Sequence, residues 1–106
     1  MSNNYKIEFT KFAAKKYAKL CKKSKILEKQ ISKALESLSV DPFSPSLNTH
    51  GVNTAMYDGK VYSSFVSGDI RIIWEFSNDS VRILILNIGG HSGTNNVYSW
   101  KGSNIE

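Results

Sequence analysis

A chain of 106 residues is the size of one domain, and its one cysteine, Cys21, rules out an internal disulfide and any cysteine-based metal site. A lone thiol fits a reducing cytoplasm, the amino-terminal MSNNYKIEFT has no apolar run of signal-peptide length, and no stretch approaches the roughly 20 apolar residues of a membrane helix, so a soluble cytoplasmic protein is expected. The net charge of +5 is concentrated, with nine lysines and one acid, Glu28, between Lys11 and Lys33. Such a field suits an anionic partner such as nucleic acid, a ribosome surface or an acidic protein; the blander alternative is a solvated helical face. The apolar faces are only wide enough to pack on a sheet, which argues against a membrane surface.

Residues 5–9 alternate, with Tyr5, Ile7 and Phe9 set against Lys6 and Glu8, the period of a half-buried strand. Thr10 suits a helix N-cap. Beyond it Ala13, Ala14, Tyr17, Leu20 and Cys21 recur at helical spacing, with Lys11, Lys15, Lys19 and Lys22 on another side. Ser24 is the next cap, and Leu27, Ile31, Ala34, Leu35 and Leu38 form a second stripe. A separation of about two or three residues predicts an antiparallel helical hairpin. Pro42 ends the second helix and restricts the residue before it.

Residues 41–60 contain Pro42, Pro45, Gly51 and Gly59 and no sustained period. A connection of about 20 residues is long for a domain of this size. It is either a functional loop or the cover for a short strand near Met56 and Tyr57. Strands are then predicted over 61–66, 70–76 and 81–88, separated by turns at Ser67-Gly68-Asp69 and Ser77-Asn78-Asp79. The last of these, VRILILNI, is apolar almost throughout, as for a central strand covered on both faces. Residues 96–100 can add a short edge strand. The pattern predicts an α+β fold in one domain over 1–106, an N-terminal strand and helical hairpin packed on an antiparallel β-meander.

In IRIIWEF, Ile70, Ile72, Trp74 and Phe76 share one face, and their bulk places it under the helices. Arg71, Ile73 and Glu75 then point the other way. An arginine there can fork onto a phosphate with two parallel hydrogen bonds, or can serve in a structural salt bridge, for example to Glu75. The glycines of GGHSG permit backbone turns that put His91 at the end of the sheet, where a histidine can transfer protons or be an ordinary loop residue. Tyr98 can stack on a base, donate to a phosphate, relay a proton, or simply cap the sheet edge. His50, in an irregular segment, reads as a plain polar residue, Trp74 and Trp100 as packing, and Cys21 as a small buried hydrophobe. Two histidines without a nearby acid or thiol lack metal-ligand spacing, and neither a phosphate-cradling glycine motif nor a nucleophile elbow is present.

The order of elements, the segment YSSFVSGDIRIIW at 62–74 and the closing IGGHSGTNNVY at 88–98 together resemble the RelE/ParE toxin superfamily of bacterial toxin–antitoxin systems. The resemblance covers nearly the whole chain. It implies a small basic toxin that cuts messenger RNA, usually on the ribosome, without metal or cofactor, and that pairs with a cognate antitoxin. In that chemistry the 2′-hydroxyl attacks the adjacent phosphate. The family's middle-strand arginine falls on Arg71, its closing tyrosine on Tyr98, and its loop arginine or histidine on His91. Lys11, Lys15, Lys19, Lys22 and Lys60 would then dock RNA or the ribosome. RelE itself carries lysines on the strand before the arginine, where this chain has Ser63, Ser64 and Phe65. No acid falls where relatives such as YoeB use a glutamate base, so the resemblance leaves His91 as the base. Two alternatives remain: a ParE-type, non-enzymatic inhibitor of DNA gyrase, and a degenerate toxin that only binds RNA or its antitoxin.

Overall fold

The computed structural model describes residues 4–52, 60–79, 81–90 and 97. Strand β1 (Lys6–Phe9) leads into helices α1 (Lys11–Lys23) and α2 (Lys25–Val40), a 3-10 turn (Pro45–Leu47), and strands β2 (His50–Val52), β3 (Val61–Ser67), β4 (Ile70–Phe76) and β5 (Arg82–Gly90). Both helices start where a hydroxyl can satisfy a free backbone donor. Thr10 Oγ1 accepts from the Ala13 N–H at 3.1 Å, and Ser24 Oγ from the Leu27 N–H at 3.1 Å. Ser24 also ends α1, its own N–H reaching the Leu20 carbonyl at 3.2 Å. One residue therefore joins the helices, a shorter joint than the spacing predicts.

The stripe of α2 packs as expected, with Ile31, Ala34 and Leu38 buried beside Leu27 and Leu35. On α1 only Ala13, Tyr17 and Leu20 join that core. Ala14 is exposed and Cys21 half-buried. Successive helical residues lie about 100° apart, so Ala13 and Ala14 cannot both face the sheet. After α2, the Asp41 N–H closes on Ser37 O at 2.8 Å, one residue before Pro42.

The sheet order is β1-β5-β4-β3-β2. The meander of β2 to β5 is antiparallel, as predicted, but β1 pairs parallel with β5, which makes the sheet mixed. A parallel partner is reachable because the whole helical hairpin serves as the crossover. The strand hidden in the 41–60 connection is β2, at His50–Val52. Met56 and Tyr57 lie outside the described residues, as do 96–100 apart from Val97.

Strand parity divides the core into two layers. Ile72 and Trp74 of β4 and Ile83, Ile85 and Ile88 of β5 pack under the helices. On the outer face Val52, Val61, Ile73 and Val97 cluster with Leu86. The apolar run of β5 thus serves both faces, as its composition predicts, although the strand begins at Arg82 and leaves Val81 exposed. A bulge interrupts it, because Ile73 pairs with Asn87 while Trp74 pairs with Ile85. The extra residue, Leu86, shifts the face of everything after it. The consequence is that Gly89 stands opposite Arg71.

A hydrogen-bond relay ties the segment after α2 to this sheet. Trp74 Nε1 donates to Ser64 Oγ at 2.8 Å, Ser64 and Thr49 hydroxyls are 2.6 Å apart, and Thr49 Oγ1 donates to the Pro42 carbonyl at 2.7 Å. An indole N–H only donates and a carbonyl only accepts, so the direction is fixed: Trp74 to Ser64, Ser64 to Thr49, Thr49 to Pro42. Among the described residues, no helix is long and apolar enough to cross a membrane.

Candidate functional site

Arg71 sits two residues after the tight turn at Gly68-Asp69, where Gly68 adopts a positive φ of 50°. Its pairing with Phe65 and Gly89 puts it on the outer sheet face, away from the helices, as strand parity predicts. Nη1 donates to the carbonyls of Gly68 at 2.9 Å and Ile70 at 3.1 Å, and the guanidinium carbon lies 5.0 Å from the centre of the Phe65 ring. A guanidinium has five N–H donors; among the described residues only Nη1 is engaged, and Nε and Nη2 have no partner. Among the described residues, Arg71 has no salt bridge. Glu75 is four strand positions away, about 13 Å along β4, and no described carboxylate pairs with Arg71. Burial on the apolar outer face raises the Glu75 carboxyl above its ordinary value. The other arginine behaves differently: Arg82 pairs with Asp79 at 3.0 Å and Glu8 at 3.6 Å, which gives it a structural role.

Gly89 leaves open space beside Arg71, and a lysine fills it. A Cβ at position 89 would lie 3.1 Å from Lys16 Nζ and 3.3 Å from Val97 Cγ1. Cross-strand Cβ positions are about 5 Å apart, so the Lys16 ammonium reaches within about 9 Å of the Arg71 Cβ. Lys16 is half-buried, with its ammonium 5.5 Å from the centre of the Phe12 ring. Desolvation, and secondarily the charge of Lys19, lowers its pKa below the ordinary lysine value. No described carboxylate pairs with it. The sequence carried a signal for this residue: Lys16 is three positions after buried Ala13, and hence on the inward side of α1.

The remaining sequence-predicted residues are distributed unevenly. His91 and Tyr98 lie outside the described residues, although the backbone beside each is fixed. Gly90 ends β5, and the Val97 N–H donates to the Gly90 carbonyl at 2.9 Å with the Val97 side chain buried in the outer cluster. Lys11, Lys15, Lys19 and Lys22 are exposed along one side of α1. Lys60 is exposed just before Val61, whose pairing with Glu75 marks the end of β3 opposite the Phe65–Arg71 pair. Lys60 is therefore not brought to Arg71. Of the three residues at 63–65, Ser64 faces the helices in the Trp74 relay, and only Phe65 meets the arginine.

His50 is not in an irregular segment. It pairs with Ser63 in β2, two residues from Val52 of the outer cluster, and so faces the same side as Arg71. Its Nδ1 is 3.2 Å from the Asn48 carbonyl. A carbonyl can only accept, so this contact places the proton of the neutral ring on Nδ1 and leaves Nε2 as an acceptor toward solvent.

No family model matches the sequence, and no curated protein does. Solved structures do match. A chain of the archaeal RelE–RelB complex from Pyrococcus horikoshii OT3 aligns with a TM-score of 0.66 at 18% identity, covering 86% of this chain and 99% of that one. The chain has the RelE/ParE toxin fold. The YoeB/ParE toxin from Agrobacterium tumefaciens matches this fold with a TM-score of 0.70 at 14% identity, covering 82% of this chain and 99% of its own. A chain of a YoeB–YefM complex from Staphylococcus aureus matches at 0.66 and 17% identity, over 83% of this chain and 98% of that one. Among the described residues, Arg71, Phe65, Gly89 and Lys16 lie together at the outer sheet face.

Proposed function

We propose that this chain is the toxin of a type II toxin–antitoxin pair and acts as an endoribonuclease on messenger RNA held by the ribosome. One observation carries the reading most directly. Arg71 projects from the outer sheet face, oriented by two backbone carbonyls, and among the described residues nothing takes its other three N–H donors or pairs with its charge. A guanidinium held in that way suits the charge that builds on a phosphoryl group during cleavage.

The reaction needs no group from outside the protein and its substrate. The 2′-oxygen attacks the adjacent phosphorus, the P–O5′ bond breaks, and the fragments carry a 2′,3′-cyclic phosphate and a 5′-hydroxyl. A base takes the 2′-hydroxyl proton and an acid protonates the departing O5′. We assign proton transfer to His91, charge stabilisation to Arg71, and stacking or orientation of the substrate to Tyr98. General acid–base help contributes about 10²–10⁴-fold, and loss of one well-placed stabilising donor costs about 10²–10³-fold. The exposed lysines of α1 and Lys60 supply a salt-sensitive docking surface for RNA. The same lysines suit an acidic antitoxin segment that folds on binding, and the chain pairs with such a partner in this reading.

The test is cleavage of messenger RNA in a translating extract by the wild type and by Arg71→Ala. The wild type should cut, and the variant should lose about 10²-fold or more while melting at the same temperature. Undiminished cleavage by folded Arg71→Ala would reject the assignment.

A further inference from the structure

We propose that Lys16, reaching the sheet from α1, is a second cation of the Arg71 site and binds the same RNA phosphate. The inference rests on the ribonuclease reading and adds a residue that neither the strand pattern nor the motif of that reading contains. The geometry begins with the Leu86 bulge, which turns Gly89 to the outer face directly opposite Arg71. Because position 89 has no Cβ, the Lys16 ammonium can lie over the strand, 3.1 Å from where that atom would be. Lys16 thus flanks the Arg71 strand position from the β5 side while the guanidinium leans over Phe65 on the β3 side, and neither cation has a carboxylate partner among the described residues.

An arrangement of this kind is costly for the protein alone. The half-buried ammonium has given up part of its hydration and feels the neighbouring charge of Lys19. The Phe12 ring offsets only some of that loss. An anion between the two groups removes both penalties, and a phosphate offers acceptors to the Arg71 fork and to the ammonium at once. The other lysines of α1 differ in this respect, since Lys11, Lys15, Lys19 and Lys22 stay in solvent. They are suited to docking the polymer, whereas Lys16 is positioned to grip one phosphate. Val97, 3.3 Å from the same Gly89 position, closes the far side of that space.

The experiment compares wild type, Lys16→Met, Lys16→Arg and Lys29→Met, the last an exposed lysine on α2. Cleavage is measured in a translating extract. Binding is measured, as a function of salt, on ribosomes programmed with a messenger RNA that is 2′-deoxy at the cleavage site. Lys16→Met should cut about tenfold to a hundredfold more slowly, the range for one lost charge-assisted hydrogen bond. Its plot of log affinity against log salt should be shallower by about 0.7, one single-stranded phosphate contact. It should melt no lower than the wild type, because a desolvated charge has been removed. Lys16→Arg should recover most of both losses, and Lys29→Met should match wild type. Wild-type slope and cleavage in folded Lys16→Met would overturn the inference and leave the ribonuclease reading standing. A wild type that neither binds nor cuts the message would overturn both.

Discussion

Replacing Ser64 with alanine removes one oxygen from the centre of the Trp74–Ser64–Thr49–Pro42 relay and almost no volume. Ser64 and Trp74 are both fully buried, so the indole N–H has no water to turn to. Thr49 keeps its donor bond to Pro42 and loses only an optional acceptor bond. The main cost is the stranded indole donor, about 1–3 kcal/mol. For a chain of this length that corresponds to a fall in melting temperature of about 5 °C or more. Urea denaturation of the wild type, Ser64→Ala, Trp74→Phe and the double variant would isolate the pair. The cavity left by Trp74→Phe cancels in the cycle, so a coupling of about 1 kcal/mol or more is expected from the bond itself. A Ser64→Ala protein within about 0.3 kcal/mol of wild type would refute the relay as a source of stability.

Other consequences follow from the same contacts. Burial raises the Glu75 carboxyl, so the folded protein holds that proton to a higher pH than the unfolded chain does. Stability then falls as pH rises from the ordinary carboxylate range through the raised value; Glu75→Gln should flatten the fall, measured as urea midpoints across that window. Ser24→Ala removes the hydroxyl that starts α2, where the same residue also terminates α1, and should cost about 1 kcal/mol by thermal melting without altering cleavage. Gly89→Ala keeps both cations but crowds the Lys16 ammonium and Val97, and should slow cleavage several-fold with a smaller change in melting temperature.

The face occupied by Arg71 was legible from IRIIWEF, because a strand side chain alternates with period two whatever its partners. The caps at Thr10 and Ser24 and the stop at Pro42 were legible for a similar reason, since each rests on chemistry within a few residues. Features that depend on distant partners were not. Three residues, His50–Val52, carry no readable period, and β2 exists because β3 offers an edge to pair with. The parallel seat of β1 depends on the route of the crossover. The bulge at Leu86 has no mark in an unbroken apolar run, yet it decides that Gly89 rather than an isoleucine faces Arg71. Lys16 was hidden for a different reason: charge patterning groups it with eight other lysines, and only its spacing from Ala13 separates it.

The chemistry of the RNA ends tests the central claim most directly. Messages from a translating extract given the wild-type protein should carry new 5′-hydroxyl ends matched by upstream fragments ending in a 2′,3′-cyclic phosphate, and Arg71→Ala should produce neither. Cuts bearing 5′-phosphates, or intact messages beside stalled DNA gyrase, would contradict it.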